Sequence, residues 1–202
     1  MPEQPTRERI LASALRLFAE RGFSGTSVAA IEEAAGLSPG SGALYAHFKS
    51  KQEVLEAAVT HAMKVADSGL SLVPLLPLGD VRAELTLIAR GSLLLMSSWR
   101  DLAMVLVKEA GNSPALTAQL RDQVVERTYN WFADWLAERA QDGAVARVDF
   151  PVIAALWIGG LIQYWGTDEL LGGPPANIEE DRFIAGWVDT LHRVLVPLPE
   201  PS

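Results

Sequence analysis

The side chains that could do chemistry in this sequence lie at spacings that argue against catalysis. The three histidines, His47, His61 and His192, have no spacing typical of metal ligands, and the chain has no cysteine. The sequence also lacks a Gly-x-Ser-x-Gly elbow, a phosphate-binding loop and a dinucleotide fingerprint. We therefore expect no enzyme, no metal site and no cofactor.

One stretch instead concentrates groups that donate hydrogen bonds. Residues 38–51 hold three serines, one tyrosine, one histidine and two lysines, with small residues between them. Such a surface can approach a phosphate backbone closely and donate to its oxygens. A solvated turn with Tyr45 and Phe48 packed in the core is the alternative interpretation, and Tyr45 fits either one.

Helices must position this stretch, because apolar residues recur at intervals of three and four and no long stretch alternates with period two. A first helix ends at Gly22, a second at Gly36, and a third short helix lies within residues 38–47. A capping box of Ser50 and Glu53 begins a fourth helix. Further helices are predicted at about 80–98, 100–110, 114–141, 150–165 and 178–196. Ser113 is expected to cap the third of these, residues 69–79 to form a buried connection, and residues 197–202 to fray.

Two short helices joined by a glycine turn and packed on a first helix describe a helix-turn-helix unit, whose later helix enters the DNA major groove. Residues 7–58 resemble the TetR (tetracycline-repressor-like) family of transcriptional regulators. The matching residues, in order, are Arg9-Ile10-Leu11, Ala14, Leu17-Phe18-Ala19-Glu20, Gly22-Phe23, Thr26-Ser27-Val28, Ile31, Ala35-Gly36-Leu37-Ser38, Leu44-Tyr45, His47-Phe48, Ser50-Lys51 and Leu55.

The resemblance implies an all-α fold in two parts. Residues 1–50 would form a helix-turn-helix three-helix bundle, and residues 51–202 a helical domain for dimerisation and ligand binding, with the fourth helix connecting the two. It also implies phosphate contacts from the start of the second helix, from the tyrosine and histidine, and from the lysine that opens the fourth helix, while the residues before the Leu-Tyr pair face the bases. The expected DNA-binding residues are Thr26, Ser27, Ser38, Ser41, Gly42, Ala43, Tyr45, His47 and Lys51.

The interval from Gly36 to Tyr45 departs from the resemblance, because it is two residues longer than the commonest family pattern. Either Ser38 caps a longer helix, or the turn is longer and Ser41 is the cap. Ser41, Gly42 and Ala43 also lack the bidentate groups that read guanine or adenine, so we expect operator shape to contribute to discrimination.

Charge at first argues against DNA, because 17 Lys and Arg face 25 Asp and Glu, a net charge of −8. Residues 1–65, however, hold seven of each sign. The whole negative excess therefore lies beyond residue 65, in the part that the resemblance assigns to dimerisation and ligand binding.

That second part is rich in large apolar residues, which suit either a pocket or an ordinary core. The expected ligand-binding residues are His61, Met96, Trp99, Met104, Trp131 and Trp135. The expected dimer-interface residues are Trp157, Gly160, Leu161, Tyr164, Phe183, Trp187 and Leu191. The apolar run at 150–165 is shorter than the roughly 20 residues that span a bilayer, so we expect a buried helix.

The sequence therefore predicts a cytoplasmic homodimer, with no membrane partner, that represses transcription at a palindromic operator and is released by a small, largely apolar effector. An activator, a regulator without a ligand, and a helical ligand-binding or adaptor protein that does not bind DNA are the alternatives.

Overall fold

The helical periodicity of the sequence corresponds to eight α-helices in the computed structural model, which describes residues 5–69, 78–109, 111, 114, 117–118 and 121–196. The helices are α1 (Thr6–Arg21), α2 (Val28–Ala34), α3 (Lys51–Gly69), α4 (Val81–Ser98), α5 (Arg100–Glu109), α6 (Glu126–Gln141), α7 (Phe150–Leu171) and α8 (Glu180–Leu195). Short 3-10 turns at Ala43–Ala46 and Pro175–Asn177 and a π-helical turn at Arg121–Val125 complete the elements. The predicted all-α fold is confirmed. The predictions for residues 70–77, Ser113 and residues 197–202 fall outside the described residues, whereas Leu78 and Gly79, at the end of the expected buried connection, are exposed.

The chain divides into two compact units that differ from the predicted division at residue 50. The N-terminal unit contains Met1–Gly69 and Trp99–Gln119, and the C-terminal unit contains Leu70–Ser98 and Leu120–Ser202. The N-terminal unit takes in α3 and α5 because both helices pack against α1. The division of functions at residue 50 stays a prediction.

The core of the N-terminal unit follows from the apolar stripe of α1. Ile10, Leu11, Ala14, Leu17 and Phe18 recur at helical spacing, and all five are buried. Because the stripe is wider than one neighbouring helix can cover, α1 packs on α2, α3 and α5. The helix-turn-helix elements are thereby fixed to one central helix.

Two charged residues at the end of α5 hold the end of α1. The Lys108 ammonium donates to the carbonyl oxygens of Ala19 and Glu20, the latter at 2.9 Å. The last carbonyls of a helix have no partner within the helix, and a cation there also meets the negative end of the helix dipole. The Glu109 carboxylate accepts the Phe23 N–H at 2.9 Å, so the turn that follows α1 is held as well.

The C-terminal unit is built around aromatic side chains. Phe132 in α6 is fully buried, with its ring stacked on Trp135 at 5.6 Å between centroids and tilted against Trp187 of α8 at 6.3 Å. Helix α7 packs on α6 and α4, and α4 also packs on α8. This order closes one core from four helices.

Helix α7 is longer than predicted and has an unusual surface. It begins at an Asp149 cap and continues past residue 165 to Leu171, where Gly172 ends it. By length and composition it could cross a membrane, and no membrane is part of the structure. Only 22% of its most apolar window is buried, so the expected buried helix is largely exposed in this chain. Its exposed side carries the α7 stripe, which we define as Val152, Leu156, Gly159 and Ile162.

One ion pair in the C-terminal unit gives a prediction about pH. The Arg82 guanidinium donates a hydrogen bond to Asp189, and this bond together with the charge of Arg82 lowers the pKa of the Asp189 carboxyl. A lowered pKa in the folded state means that the pair stabilises the fold above the ordinary pKa of aspartate. That stabilisation is lost as the pH falls through the lowered value.

We expect carboxyl carbon NMR to show Asp189 titrating below the ordinary pKa of aspartate, and Arg82→Gln to return the midpoint to the ordinary range. Arg90→Gln, which breaks a comparable exposed pair with Asp181, serves as the control and should leave Asp189 unchanged. An Asp189 midpoint that does not move in Arg82→Gln would contradict the assignment.

Candidate nucleic-acid interface

The segment of residues 38–47 contains a short 3-10 turn where the sequence predicts a third helix. Residues 38–42 form a loop, and only Ala43–Ala46 are helical. Gly40 and Gly42 have φ values of +72° and +76°, in the left-handed region that other residues rarely adopt. The two additional residues therefore extend the loop, and Gly42 stands at the start of the turn.

The carboxylate of Glu32 lies beneath this loop. Glu32 belongs to α2 and is 0% exposed. One of its oxygens accepts the Gly40 N–H at 2.7 Å, and the other accepts the Leu44 N–H at 3.0 Å. Sequence reasoning did not place Glu32 in the site. The available signal was its position, because Glu32 follows Val28 by four residues and so shares the buried face of α2 with Ile31.

The outer surface of the 38–47 segment carries hydrogen-bond donors. Ser38, Ser41, Tyr45 and His47 are all exposed, Tyr45 to 56%. The Ser41 oxygen accepts the Ala43 N–H at 3.3 Å, which leaves its hydroxyl hydrogen available. Gly42 and Ala43 are half-buried beside them. Six of the nine predicted DNA-binding residues thus lie on this one segment, and Tyr45 is exposed instead of packed in the core.

The two residues before α2 have different surroundings. Ser27 is exposed and caps α2, its oxygen accepting the Ala30 N–H at 3.1 Å. Thr26 is buried, and its hydroxyl lies 2.8 Å from the Gly22 carbonyl oxygen and 3.1 Å from that of Leu17. Ser27 can therefore face a phosphate directly, whereas the hydroxyl of Thr26 stabilises the turn between α1 and α2.

The side chain of Lys51 also points toward the turn between α1 and α2. Its ammonium donates to the carbonyl oxygens of Phe23 at 2.8 Å and Thr26 at 2.9 Å, and it lies 4.2 Å from the centroid of the Phe23 ring. Two hydrogen bonds and a cation–π contact give Lys51 a structural role. Its predicted phosphate contact stays a prediction.

An arginine outside the predicted set lies against the core residue that follows the segment. The Arg7 guanidinium lies 5.1 Å from the ring centroid of Phe48, and Arg7 is exposed. Stacking on an aromatic face leaves the edges of a guanidinium able to donate. Arg7, which contacts the Phe48 ring, and the exposed Lys49, which follows Phe48 in the chain, therefore add positive charge beside the segment.

The inward contacts of Lys51 lead to a stability prediction. We expect Lys51→Met to lower the free energy of unfolding of the N-terminal unit by about 2 kcal/mol, because methionine keeps most of the stem but loses both ammonium hydrogen bonds. The Phe23 carbonyl oxygen then keeps only the Thr26 N–H, and the Thr26 carbonyl oxygen loses its lysine donor. Urea unfolding followed by circular dichroism measures the change. Lys49→Met is the matched control and should leave stability within about 0.5 kcal/mol of the original protein. Equal stability of both variants would contradict the inward role of Lys51.

The predicted ligand-binding residues are divided between the two units. His61, Trp99 and Met104 belong to the N-terminal unit, and Met96, Trp131 and Trp135 belong to the C-terminal unit. Trp135 is buried, and the other five are half-buried.

The predicted interface residues all lie in the C-terminal unit. Leu161, Tyr164, Trp187 and Leu191 are already buried within that unit. Trp157, Gly160 and Phe183 line an open groove of about 490 Å³ together with residues of α7 and α8 that include Leu156 and Gly186. Trp187, although buried, also lines this groove, so the groove involves four of the seven predicted interface residues.

Comparison with known proteins gives a sequence match for the part of the chain that contains the 38–47 segment. Residues 10–58 match the family model described as "Bacterial regulatory proteins, tetR family". The regulator UidR of Escherichia coli is 45% identical over 56 residues, which cover 28% of this chain and 28% of UidR. The regulator AcrR of Shigella flexneri is 49% identical over 51 residues, 25% of this chain and 23% of AcrR. The chain therefore matches about a quarter of the length of each relative.

Solved structures resemble the fold over nearly the whole chain. A regulator from Saccharomonospora viridis in complex with choline has 22% identity and a TM-score of 0.77, covering 95% of this chain and 98% of that one. A protein from Mesorhizobium loti described as a TetR-family transcriptional regulator has 21% identity and a TM-score of 0.76, with 94% and 96% covered. At these identities the likeness concerns the fold, and the sequence match concerns residues 10–58. Residues 10–58 therefore match the tetR family of bacterial regulatory proteins in sequence, and the chain shares the fold of these solved structures.

Proposed function

We propose that the protein is a transcriptional regulator that acts as a dimeric repressor in the cytoplasm. The observation that carries the proposal is the exposed set of donors on the 38–47 segment, within the region that matches the family model. Tyr45, His47 and Ser41 can donate to phosphates. Glu32 fixes the backbone near all three, because Ser41 lies between the two N–H groups that it accepts, while Tyr45 and His47 follow the second of them.

A binding titration tests this function. Fluorescence anisotropy would follow binding of the protein to the DNA flanking its own gene, with Tyr45→Phe and His47→Ala as variants. Each variant should weaken binding about tenfold, since a hydrogen bond to a charged group contributes about 1.5–3 kcal/mol. Tyr129→Phe, which makes the same chemical change in the C-terminal unit, should bind like the original protein. If the protein binds no flanking DNA, the adaptor alternative is favoured instead.

The proposed dimer rests on the α7 stripe. Val152, Leu156 and Ile162 are 51%, 62% and 43% exposed, an arrangement in which apolar surface of one helix meets water. Gly159 lies between them with no heavy atom near the position of a Cβ, so another helix can approach closely. A second copy of the chain is the occupant that fits best, because a two-fold axis would place the same stripe opposite itself and would match a palindromic operator.

The proposed effector is small and largely apolar, with at least one hydrogen-bond acceptor. The aromatic cluster of Phe132, Trp135 and Trp187 makes the interior of the C-terminal unit apolar and aromatic. Within the described part of the chain, the buried indole N–H groups of Trp135 and Trp165 meet no acceptor. Buried donors are normally paired, so each could take an oxygen of a bound molecule. The choline in the Saccharomonospora viridis regulator is one molecule with an oxygen and a cation suited to aromatic faces.

Tryptophan fluorescence tests the effector. Titration with choline and with a panel of hydrophobic compounds should identify one that changes the emission and also weakens DNA binding, as expected for release of a repressor. Trp135→Phe removes the N–H but keeps an aromatic ring, and it should weaken effector binding without changing DNA affinity. A compound that strengthens DNA binding would favour the activator alternative, and no response to any compound would favour a regulator without a ligand.

A further inference from the structure

We propose that Glu32 is a positioning residue that sets the sequence preference of the 38–47 segment by holding it in a loop and a single 3-10 turn. The inference rests on the proposed DNA-binding function and goes beyond it. Glu32 would not touch DNA, because it is 0% exposed. It would act through the backbone of the residues that do.

The hydrogen bonds show how the carboxylate replaces a helix. In an α-helix, the N–H of Leu44 would donate to the carbonyl oxygen of Gly40. Here that N–H donates to one oxygen of Glu32, while the other oxygen accepts the N–H of Gly40 itself. The next N–H, from Tyr45, donates three residues back to Gly42, as in a 3-10 turn. The side chain therefore takes the Leu44 N–H, whose bond to Gly40 would extend the turn into an α-helix, and holds Gly40 itself through its N–H.

The chemistry of the site requires a carboxylate. Two donors converge on two separate oxygens, and an ionised carboxylate is the side-chain group that accepts at both and donates at neither. Glutamine could accept one N–H, but its NH₂ group would face the second. Neutralising Glu32 should thus release either Gly40 or Leu44, and with it the orientation of Tyr45 and His47.

Electrostatics alone predicts the opposite change in DNA affinity when Glu32 is neutralised, so the two explanations can be distinguished. Removing a negative charge close to a DNA-binding surface should strengthen binding to phosphates, whichever carboxylate is removed. Glu33 is the matched control, because it neighbours Glu32 in α2 but is exposed. Charge alone predicts that Glu32→Gln and Glu33→Gln bind DNA equally tightly or more tightly than the original protein. The positioning role predicts that only Glu32→Gln loses specific binding.

The probe is a duplex enriched from a random-sequence pool by the original protein, compared with the unselected pool. We expect Glu32→Gln to bind the enriched duplex about tenfold or more weakly, the cost of one lost charge-assisted hydrogen bond, and the unselected pool unchanged or slightly better. Glu33→Gln should keep the ratio of the two affinities. The proposal would be overturned if the ratio of affinities for the enriched duplex and the unselected pool were the same in Glu32→Gln and Glu33→Gln. It would also be overturned if Glu32→Gln lost affinity equally for both probes.

Two further outcomes separate the proposal from the function on which it rests. If the original protein enriches no duplex, the proposed function and this inference both fail, whereas enrichment without an effect of Glu32→Gln overturns the inference alone. If Glu32→Gln does not fold, amide hydrogen exchange in the original protein tests whether Glu32 holds the loop. The N–H of Gly40, an exposed loop residue, should exchange at least about tenfold more slowly than in an unfolded chain. Unprotected exchange at Gly40 would overturn the proposal.

Discussion

Leu156→Arg is expected to convert the protein from a dimer to a monomer and to weaken its binding to the enriched duplex about a hundredfold or more. Leu156 is 62% exposed and lies in the α7 stripe and at the edge of the groove between α7 and α8. In a two-fold interface each substitution occurs twice, so two unpaired guanidinium groups would be buried against apolar surface. Once the subunits separate, each helix-turn-helix binds its half-site alone and loses the avidity of two linked sites, which amounts to about 10²–10⁴-fold.

Sedimentation equilibrium measures the change in mass, and anisotropy measures the change in affinity. Leu94→Arg is the matched control, because Leu94 is 75% exposed on α4 of the same unit and lies outside the stripe. That variant should remain dimeric and bind DNA normally. A dimeric Leu156→Arg protein would exclude the α7 stripe as the interface, and two monomeric variants would show that the added charge acts through the fold.

Phe132→Ala should cause the largest loss of stability, about 3–5 kcal/mol. Phe132 is 0% exposed, and it contacts Trp135 of its own helix and Trp187 of α8. Removing the ring leaves a cavity between two large aromatic side chains. Because Trp135 and Trp187 are bulky, they cannot move far enough to fill that cavity. Two contributions to the free energy of unfolding are lost. One is the hydrophobic gain from burying the ring, and the other is the van der Waals contacts that the walls of the cavity do not restore.

Urea unfolding monitored by tryptophan fluorescence measures this loss, because the two neighbours of Phe132 report on the cluster. Leu94→Ala, at an exposed position, should change the free energy of unfolding by no more than about 0.5 kcal/mol. A loss below about 1 kcal/mol in Phe132→Ala would contradict the central position that the structure gives this ring.

Helical periodicity predicted the elements well, because the same residues that mark the apolar stripe are the ones that pack. Ile10, Leu11, Ala14, Leu17 and Phe18 recur at helical spacing in α1 and are all buried. The end of α7 was predicted too early for a physical reason. The apolar run ends at residue 165, but a helix ends where its backbone is capped, and here the left-handed Gly172 provides that cap six residues after Gly166 interrupts the run.

The sequence predicted the site residues whose role requires only an exposed side chain. It did not predict those whose role depends on the direction in which the side chain points. Tyr45 and His47 are exposed, as a phosphate contact requires. The inward direction of Thr26 and Lys51 depends on carbonyl groups of the turn between α1 and α2, whose positions exist only in the folded chain. Glu32 was only partly predictable, because its position in the helix indicates a buried side chain while its charge suggests an exposed one.

The hold of Lys108 and Glu109 on α1 has a consequence for protein engineering. A chimera made by joining residues 1–69 to another regulator would leave behind the two side chains that occupy the last carbonyls of α1 and the N–H of Phe23. The portable module is discontinuous: it consists of residues 1–69 together with 99–119, and the intervening 70–98 stretch belongs to the other unit. Exchanges of operator preference between relatives should therefore carry both pieces, or graft only the 38–47 segment with its Glu32.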